Sequence, residues 1–257
     1  MTLGILGGLG PLVSAHFLSM LYDMTEAEGD GDYPDLLLSA MASTPDRTAH
    51  LLDGRAPDPT PALLGAAVTL LRGGAGVILP LCYTAHAFLP EVRARISVPI
   101  LDLVSLGASA AHEAGVRRLG VLCSAGTVRA RLFELAGSPY GMQILYPCPA
   151  RQADLQRFIY ATLKSGGAGD REILREAVAD LAAQGAEAVL LGCTELSLPG
   201  AMPAVPLSLP CIDPLVLLAG RAIVLCGKKC KEAYHHAAWR PAIGALPRAF
   251  TVGTSFG

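Results

Sequence analysis

Two stretches of this chain repeat one pattern, and that repetition constrains the fold more than any other feature. Val77-Ile78-Leu79-Pro80-Leu81-Cys82-Tyr83-Thr84 is echoed by Val189-Leu190-Leu191-Gly192-Cys193-Thr194-Glu195. Each is an apolar run of strand length that stops at a cysteine with a threonine close behind, and each follows a Gly-Ala pair, Gly74-Ala75 or Gly185-Ala186, that ends a helical pattern. Twenty positions after each cysteine stands an aspartate in matching surroundings, Asp102 and Asp213. Upstream, Leu3-Gly4-Ile5-Leu6-Gly7-Gly8-Leu9-Gly10-Pro11 parallels Leu119-Gly120-Val121-Leu122-Cys123-Ser124-Ala125-Gly126-Thr127. The expected fold is α/β: two similar Rossmann-like halves with mostly parallel sheets, related by a pseudo-two-fold axis, with the site in the cleft between them. The boundaries read as 1–102 plus 213–230 for the first domain, 103–212 for the second, and 231–257 as a C-terminal extension.

Strands are expected over Thr2–Leu6, Leu36–Ala40, Val98–Leu101 and Arg118–Leu122. Helices are expected over Leu12–Thr25, Pro61–Arg72, from Cys82 to Arg95, and over Val104–Ala114, Gln152–Leu163, Asp170–Gln184 and Asp213–Leu225, the last packing back on the first half. Pro199–Pro210 reads as a loop. The glycine turn before the first helix suggests a phosphate loop, but Gly8-Leu9-Gly10 is followed by Val13 where a dinucleotide fingerprint needs glycine. The loop still lets a ligand approach a helix N-terminus.

A formal charge of −2 supplies no basic field, which argues against nucleic acid and anionic membrane as partners. No apolar run is long enough for a membrane span, and the N-terminus carries no leader pattern, so a cytoplasmic protein is expected. Seven scattered cysteines suggest neither a disulfide framework nor a zinc site, and no metal is expected. Cys123, Cys148 and Cys211 read as buried hydrophobes. Cys226, Cys230, His235 and His236 match no zinc spacing. The tail from Lys228 loses its apolar periodicity and reads as poorly packed.

A cysteine at the C-terminal end of a parallel strand sits where α/β folds hold ligands, and a helix starting there lowers its pKa below the free value of about 8.5. Two such thiols on opposite sides of one ligand are placed to take a proton from one face of a carbon and return one to the other. The bland alternative is a pair of inert strand-end cysteines, which the matched threonines and aspartates disfavour. Arg47, past a strand end, is either a surface charge or a carboxylate ligand. His86 is either a core or capping histidine or a partner of the Cys82 thiolate.

These motifs, with Pro45-Asp46-Arg47-Thr48, Cys82-Tyr83-Thr84-Ala85-His86, Gly126-Thr127-Val128-Arg129, Ile159-Tyr160 with Lys164, and Gly192-Cys193-Thr194-Glu195, resemble the aspartate/glutamate racemase superfamily, most of all its aspartate racemase branch, over residues 2–225. The resemblance implies a cofactor-independent racemase with Cys82 and Cys193 as catalytic base and acid. It assigns the substrate's carboxylates to Arg47 and Lys164, and hydrogen bonds to Thr84, Thr127 and Thr194. Gly8, Leu9, Tyr83 and Glu195 would line the same cleft. A homodimer acting on an amino acid, with dicarboxylic substrates favoured, is implied. Tyr83 stands where the branch usually has asparagine, so the cleft is expected to be narrowed or retuned. Competing readings are racemisation of glutamate or other amino acids, a maleate-isomerase-like reaction, and a non-catalytic amino-acid-binding relative. Related decarboxylases work with one cysteine, which argues against them.

Overall fold

The structure, a computed structural model, describes residues 1–167, 172–202, 207–234 and 239–240. The chain runs β1 (Leu3–Gly7), α1 (Pro11–Met24), β2 (Leu36–Ala40), α2 (Arg47–Leu52), α3 (Thr60–Arg72), β3 (Val77–Pro80), α4 (Leu89–Arg93) and α5 (Leu103–Glu113). It continues with β4 (Arg118–Cys123), α6 (Ala125–Arg129), α7 (Leu132–Gly137), β5 (Gln143–Leu145), α8 (Pro149–Arg157), α9 (Glu172–Ala183), β6 (Ala188–Gly192), β7 (Cys211–Ile212), α10 (Pro214–Leu225) and β8 (Trp239–Arg240).

The strands form two sheets, β2-β1-β3 and β5-β4-β6-β7-β8, parallel except at β8, which pairs antiparallel with β7. The repeat is visible in the ladder itself. Ile78 N–H donates to the Pro99 carbonyl at 2.8 Å, and Val189 N–H donates to the Pro210 carbonyl at 2.9 Å. In the first half this pairing stays a single bridge between Ile78 and Ile100 rather than the strand expected over Val98–Leu101. The β1, β3, β4 and β6 strands are buried along their lengths, save Arg118 at the start of β4, as both-face-covered parallel strands must be.

The matched aspartates cap helices. Asp102 Oδ1 accepts from Val104 N and Ser105 N at 3.0 and 2.9 Å, and Asp213 Oδ1 accepts from Leu215 N at 3.1 Å. Helix α5 packs on α7 and α10, while α10 also packs on α1. One apolar cluster therefore runs through both halves, from Leu3, Ile5 and Phe17 to Val121, Phe133, Leu190 and Leu218. Among the described residues, no helix is long and apolar enough to cross a membrane.

Several expectations shift. The helix expected from Cys82 to Arg95 is split into a four-residue 3₁₀ turn, Thr84–Ala87, and the short α4. The helix expected through Leu163 changes to a π-helix over Phe158–Leu163 after α8. Between α1 and β2 the chain forms a further 3₁₀ turn, Asp30–Asp32. The start of the tail is tied down: Thr25 and Cys230 form an antiparallel bridge, Lys231 N–H donates to Met24 at 2.8 Å, and Lys228 Nζ donates to the Gly31 carbonyl at 2.7 Å. Residues 203–206 of the expected proline-rich loop, Asp170, His235, His236 and 241–257 lie outside the described residues.

Candidate active site

Both cysteines of the repeat stand just past the C-terminal ends of their strands, Cys82 after β3 and Cys193 after β6, in the position where parallel sheets hold ligands. They line one narrow cleft together with Leu9, Arg47, Thr48, Tyr83, Thr84, Ser124, Tyr160, Lys164, Thr194 and Glu195. Both thiols are nearly enclosed, Cys82 at 9% and Cys193 at 8% exposure. Gly8 lines an adjoining vestibule with Gly10, Pro11 and Asp46, which shares Leu9, Arg47, Lys164 and Glu195 with the cleft. Gly8 has φ +77°, and a Cβ there would lie 2.4 Å from Met41 N, so the turn that brings β1 to α1 against the end of β2 needs glycine.

Arg47 opens α2, capped by Asp46, whose Oδ1 accepts from Ala49 N at 2.7 Å. Its side chain turns inward and is 7% exposed. Nη2 donates to the Leu9 carbonyl at 2.5 Å, and Nη1 to the carbonyls of Pro45 at 3.1 Å and Thr44 at 3.3 Å. Nε is buried with no hydrogen-bond partner among the described residues. Burial works against the guanidinium's charge, but Cys82 and Asp46 beside it outweigh burial and raise its pKa above the usual value. The Arg47 of the sequence reading is thus a buried cation at the site.

On the opposite wall the π-helix presents Tyr160, with Lys164 in the turn that follows. Lys164 Nζ lies 3.7 Å above the Tyr160 ring centre and 3.5 Å from Asp46 Oδ2, while Tyr160 Oη donates to Asp46 at 3.1 Å. Asp46 is therefore a cap for α2 and a latch between the halves. Burial pushes its pKa up, but Ala49 N–H, Lys164 and Arg47 prevail and hold it below the carboxylate range. Lys164 is disfavoured by burial, yet Glu195, Tyr160 and Cys193 raise its pKa overall.

The two thiols meet different surroundings. Thr84 Oγ1 shares hydrogen bonds with Thr127 Oγ1 at 2.9 Å and Ser124 Oγ at 3.0 Å, a hydroxyl cluster joining the halves behind Cys82. Thr127 is fully buried within that cluster. Cys193 Sγ donates to Glu195 Oε2 at 3.0 Å, and Thr194 Oγ1 donates to the Leu81 carbonyl at 3.3 Å. Burial, with Glu195 added, pushes the Cys193 thiol pKa well up. The expected lowering by a following helix is absent because only a four-residue 3₁₀ turn, Thr194–Ser197, follows.

His86 is a core histidine. Its Nδ1 faces the Cys82 carbonyl at 2.9 Å and its Nε2 accepts from Leu103 N at 3.0 Å, so the ring is neutral with the proton on Nδ1. Burial lowers its pKa. The Asp102 carboxylate 3.9 Å away makes no ion pair with it in this state. Tyr83, expected to narrow the cleft, lines it and also packs its ring on Phe133 in the core, with centroids 5.6 Å apart. Its hydroxyl is buried without a partner among the described residues. Sequence reasoning did not single out Thr48, Ser124 or Asp46 as site residues. Gly126 carried the missing signal: a Cβ there would lie 2.7 Å from Thr48 Cα, which marks the seam where α2 and α6 meet.

Two parallel α/β halves thus bring paired strand-end thiols, the buried Arg47 and the half-buried Lys164 to one cleft, the layout of a small-molecule site on a duplicated α/β fold. Residues 6–222 match the Asp/Glu/Hydantoin racemase family, and the chain belongs to it. Picrophilus torridus aspartate racemase superposes with a TM-score of 0.75 at 25% identity, covering 91% of this chain and 97% of that one. A glutamate racemase from Francisella tularensis superposes with a TM-score of 0.62 at 16% identity, covering 87% of this chain and 80% of that one, a likeness of fold alone. The broad specificity amino-acid racemase RacX of Bacillus subtilis is 24% identical over 222 residues, 84% of this chain and 94% of that protein. Family membership supports an isomerase of the racemase class.

Proposed function

We propose that this protein is a cofactor-independent racemase interconverting L- and D-aspartate through Cys82 and Cys193. The observation that carries this reading is the arrival of both strand-end thiols at one cleft lined by two cations, the buried Arg47 and the half-buried Lys164. An α-proton beside an ionised carboxylate is very weakly acidic, so its removal needs positive charge and hydrogen-bond donors where negative charge develops. Arg47 and Lys164 supply the charge and bind the substrate's two carboxylates. Thr84 and Thr194 supply hydroxyls at the cleft, with Thr127 orienting Thr84. One thiolate takes the α-proton, and the other thiol delivers a proton to the opposite face. The enzyme acts as a cytoplasmic homodimer.

The adjoining vestibule, which shares Leu9, Arg47, Lys164 and Glu195 with the cleft, favours a second reading in which longer side chains such as glutamate's are also accepted. Proton NMR of L-aspartate in deuterium oxide, without pyridoxal phosphate, tests the first reading. Loss of the α-proton signal with growth of D-aspartate is expected, and Cys82→Ala abolishes both. Exchange with glutamate alone transfers the assignment to the second reading, and no exchange with either overturns both.

A further inference from the structure

The two motifs of the repeat differ at their third residue, which is Thr84 in one and Glu195 in the other. We propose that Glu195 is the proton partner of Cys193: the pair holds one proton between thiol and carboxylate in the empty enzyme, which makes Cys193 the acid of the first turnover. This rests on the two-thiol reading above and deepens it.

The geometry is direct. Cys193 Sγ lies 3.0 Å from Glu195 Oε2, and Thr194 Oγ1 lies 3.3 Å from the same oxygen. Glu195 is buried, so its charge is poorly screened by solvent. A Cys193 thiolate would place two negative charges in contact inside the cleft, and such a pair keeps a proton. The other groups facing Cys193 are Lys164 beside the π-helix, Cys82 across the cleft and Tyr83 beneath it. Of these, Lys164 favours the thiolate, but it is shared with Asp46 and the Tyr160 ring. On the Cys82 side the corresponding neighbours are the Thr84 hydroxyl cluster and Arg47, with no carboxylate in hydrogen-bond contact with Cys82 among the described residues.

The proton balance closes. Cys82 thiolate takes the α-proton, and the C–H electron pair stays on the α-carbon. The Cys193 S–H bond then breaks and its proton forms the new C–H bond on the opposite face. Cys82 is left as a thiol and Cys193 as a thiolate beside Glu195. That charged pair recovers a proton from solvent while Cys82 gives one up, which resets the site. The opposite enantiomer reacts with the form that turnover leaves, in which Cys193 thiolate takes the α-proton and the Cys82 thiol returns one to the opposite face.

Site-resolved alkylation with iodoacetamide, read by peptide mass spectrometry across pH, tests the pairing without turnover. In the wild-type enzyme near neutral pH, Cys82 is expected to label at least about tenfold faster than Cys193, because Glu195 keeps the proton on the Cys193 thiol. In Glu195→Gln the labelling inflection of Cys193 is expected to move to lower pH by about 1–3 units, because the neighbouring negative charge is gone, while that of Cys82 stays in place. Equal labelling of the two thiols in wild type, or an unmoved Cys193 inflection in a folded Glu195→Gln, overturns the pairing. If the variant does not fold, the wild-type comparison decides. A protein that shows the shift but does not racemise loses the racemase reading and keeps the pair. One that racemises without the shift loses the pair alone.

Discussion

Gly126→Ala tests whether the seam between the halves sets the geometry of the site. The added Cβ would lie 2.6 Å from Thr48 Oγ1, 2.7 Å from Thr48 Cα and 2.9 Å from Thr48 Cβ. A χ1 rotation of Thr48 relieves the first contact but not the second, which is backbone. Ordinary carbon contact begins near 3.5 Å, so α2 and α6 must separate by roughly 1 Å. Overpacking of this kind costs about 1–3 kcal/mol. In a chain of this size each kcal/mol lowers Tm by about 2–4 °C, giving a fall of about 2–12 °C. The functional cost is larger in proportion. Arg47 precedes Thr48 in α2, and Ser124 and Thr127 flank Gly126, so both walls of the cleft move together. A displacement near 1 Å in a positioning group costs on the order of 100-fold in rate. Circular dichroism melting and kcat/KM for racemisation read the two effects. A variant that melts within a degree of wild type and keeps kcat/KM within twofold refutes the claim that the Thr48–Gly126 approach fixes the site.

Tyr83→Phe removes a buried hydroxyl that has no partner among the described residues, so it is expected to leave stability unchanged or raise it by about 1 kcal/mol, and a clear fall in Tm would show that the hydroxyl is bonded in solution. Asp46 links α2, Tyr160 and Lys164, and its folded pKa lies below its unfolded value of about 3.9. Its contribution to stability is therefore present above that value and lost as pH falls through the folded pKa. Asp46→Asn keeps the helix cap but loses the charge, so its acid-unfolding curve should start lower and flatten below about pH 4 relative to wild type. Identical slopes in the two proteins would remove Asp46 from the acid response.

The duplicated architecture was legible because a strand buried on both faces leaves a continuous apolar run, and both β3 and β6 end that run at a cysteine. Arg47 and Lys164 were legible only through their motifs; periodicity says nothing about a side chain that turns inward past a strand end. Tyr83 shows the limit. Its position one residue past Cys82 pointed to the cleft, which it does line, but nothing in the sequence marked the packing of its ring on Phe133. The Cys193–Glu195 contact also escaped the sequence, since residues two apart face each other only in a tight turn. The tail misled for a different reason. Main-chain bonds, such as that between Lys231 and Met24, dock its start, and these leave no hydrophobic pattern to read.

The apolar cluster that runs from Leu3 and Phe17 through Phe133 and Leu190 to Leu218 has a consequence for how the molecule admits its ligand. A cleft between two independent lobes opens like a jaw, with little lost when the lobes part. Here the floor of the cleft is the shared interior, and prising the halves apart would expose it to water. The glycine turn before α1 and the Lys164 side chain above Asp46 border the vestibule beside the cleft, and a ligand that enters there leaves the shared interior closed. The repeat survives in the sequence as two copies, but in the folded chain one apolar cluster is shared between them.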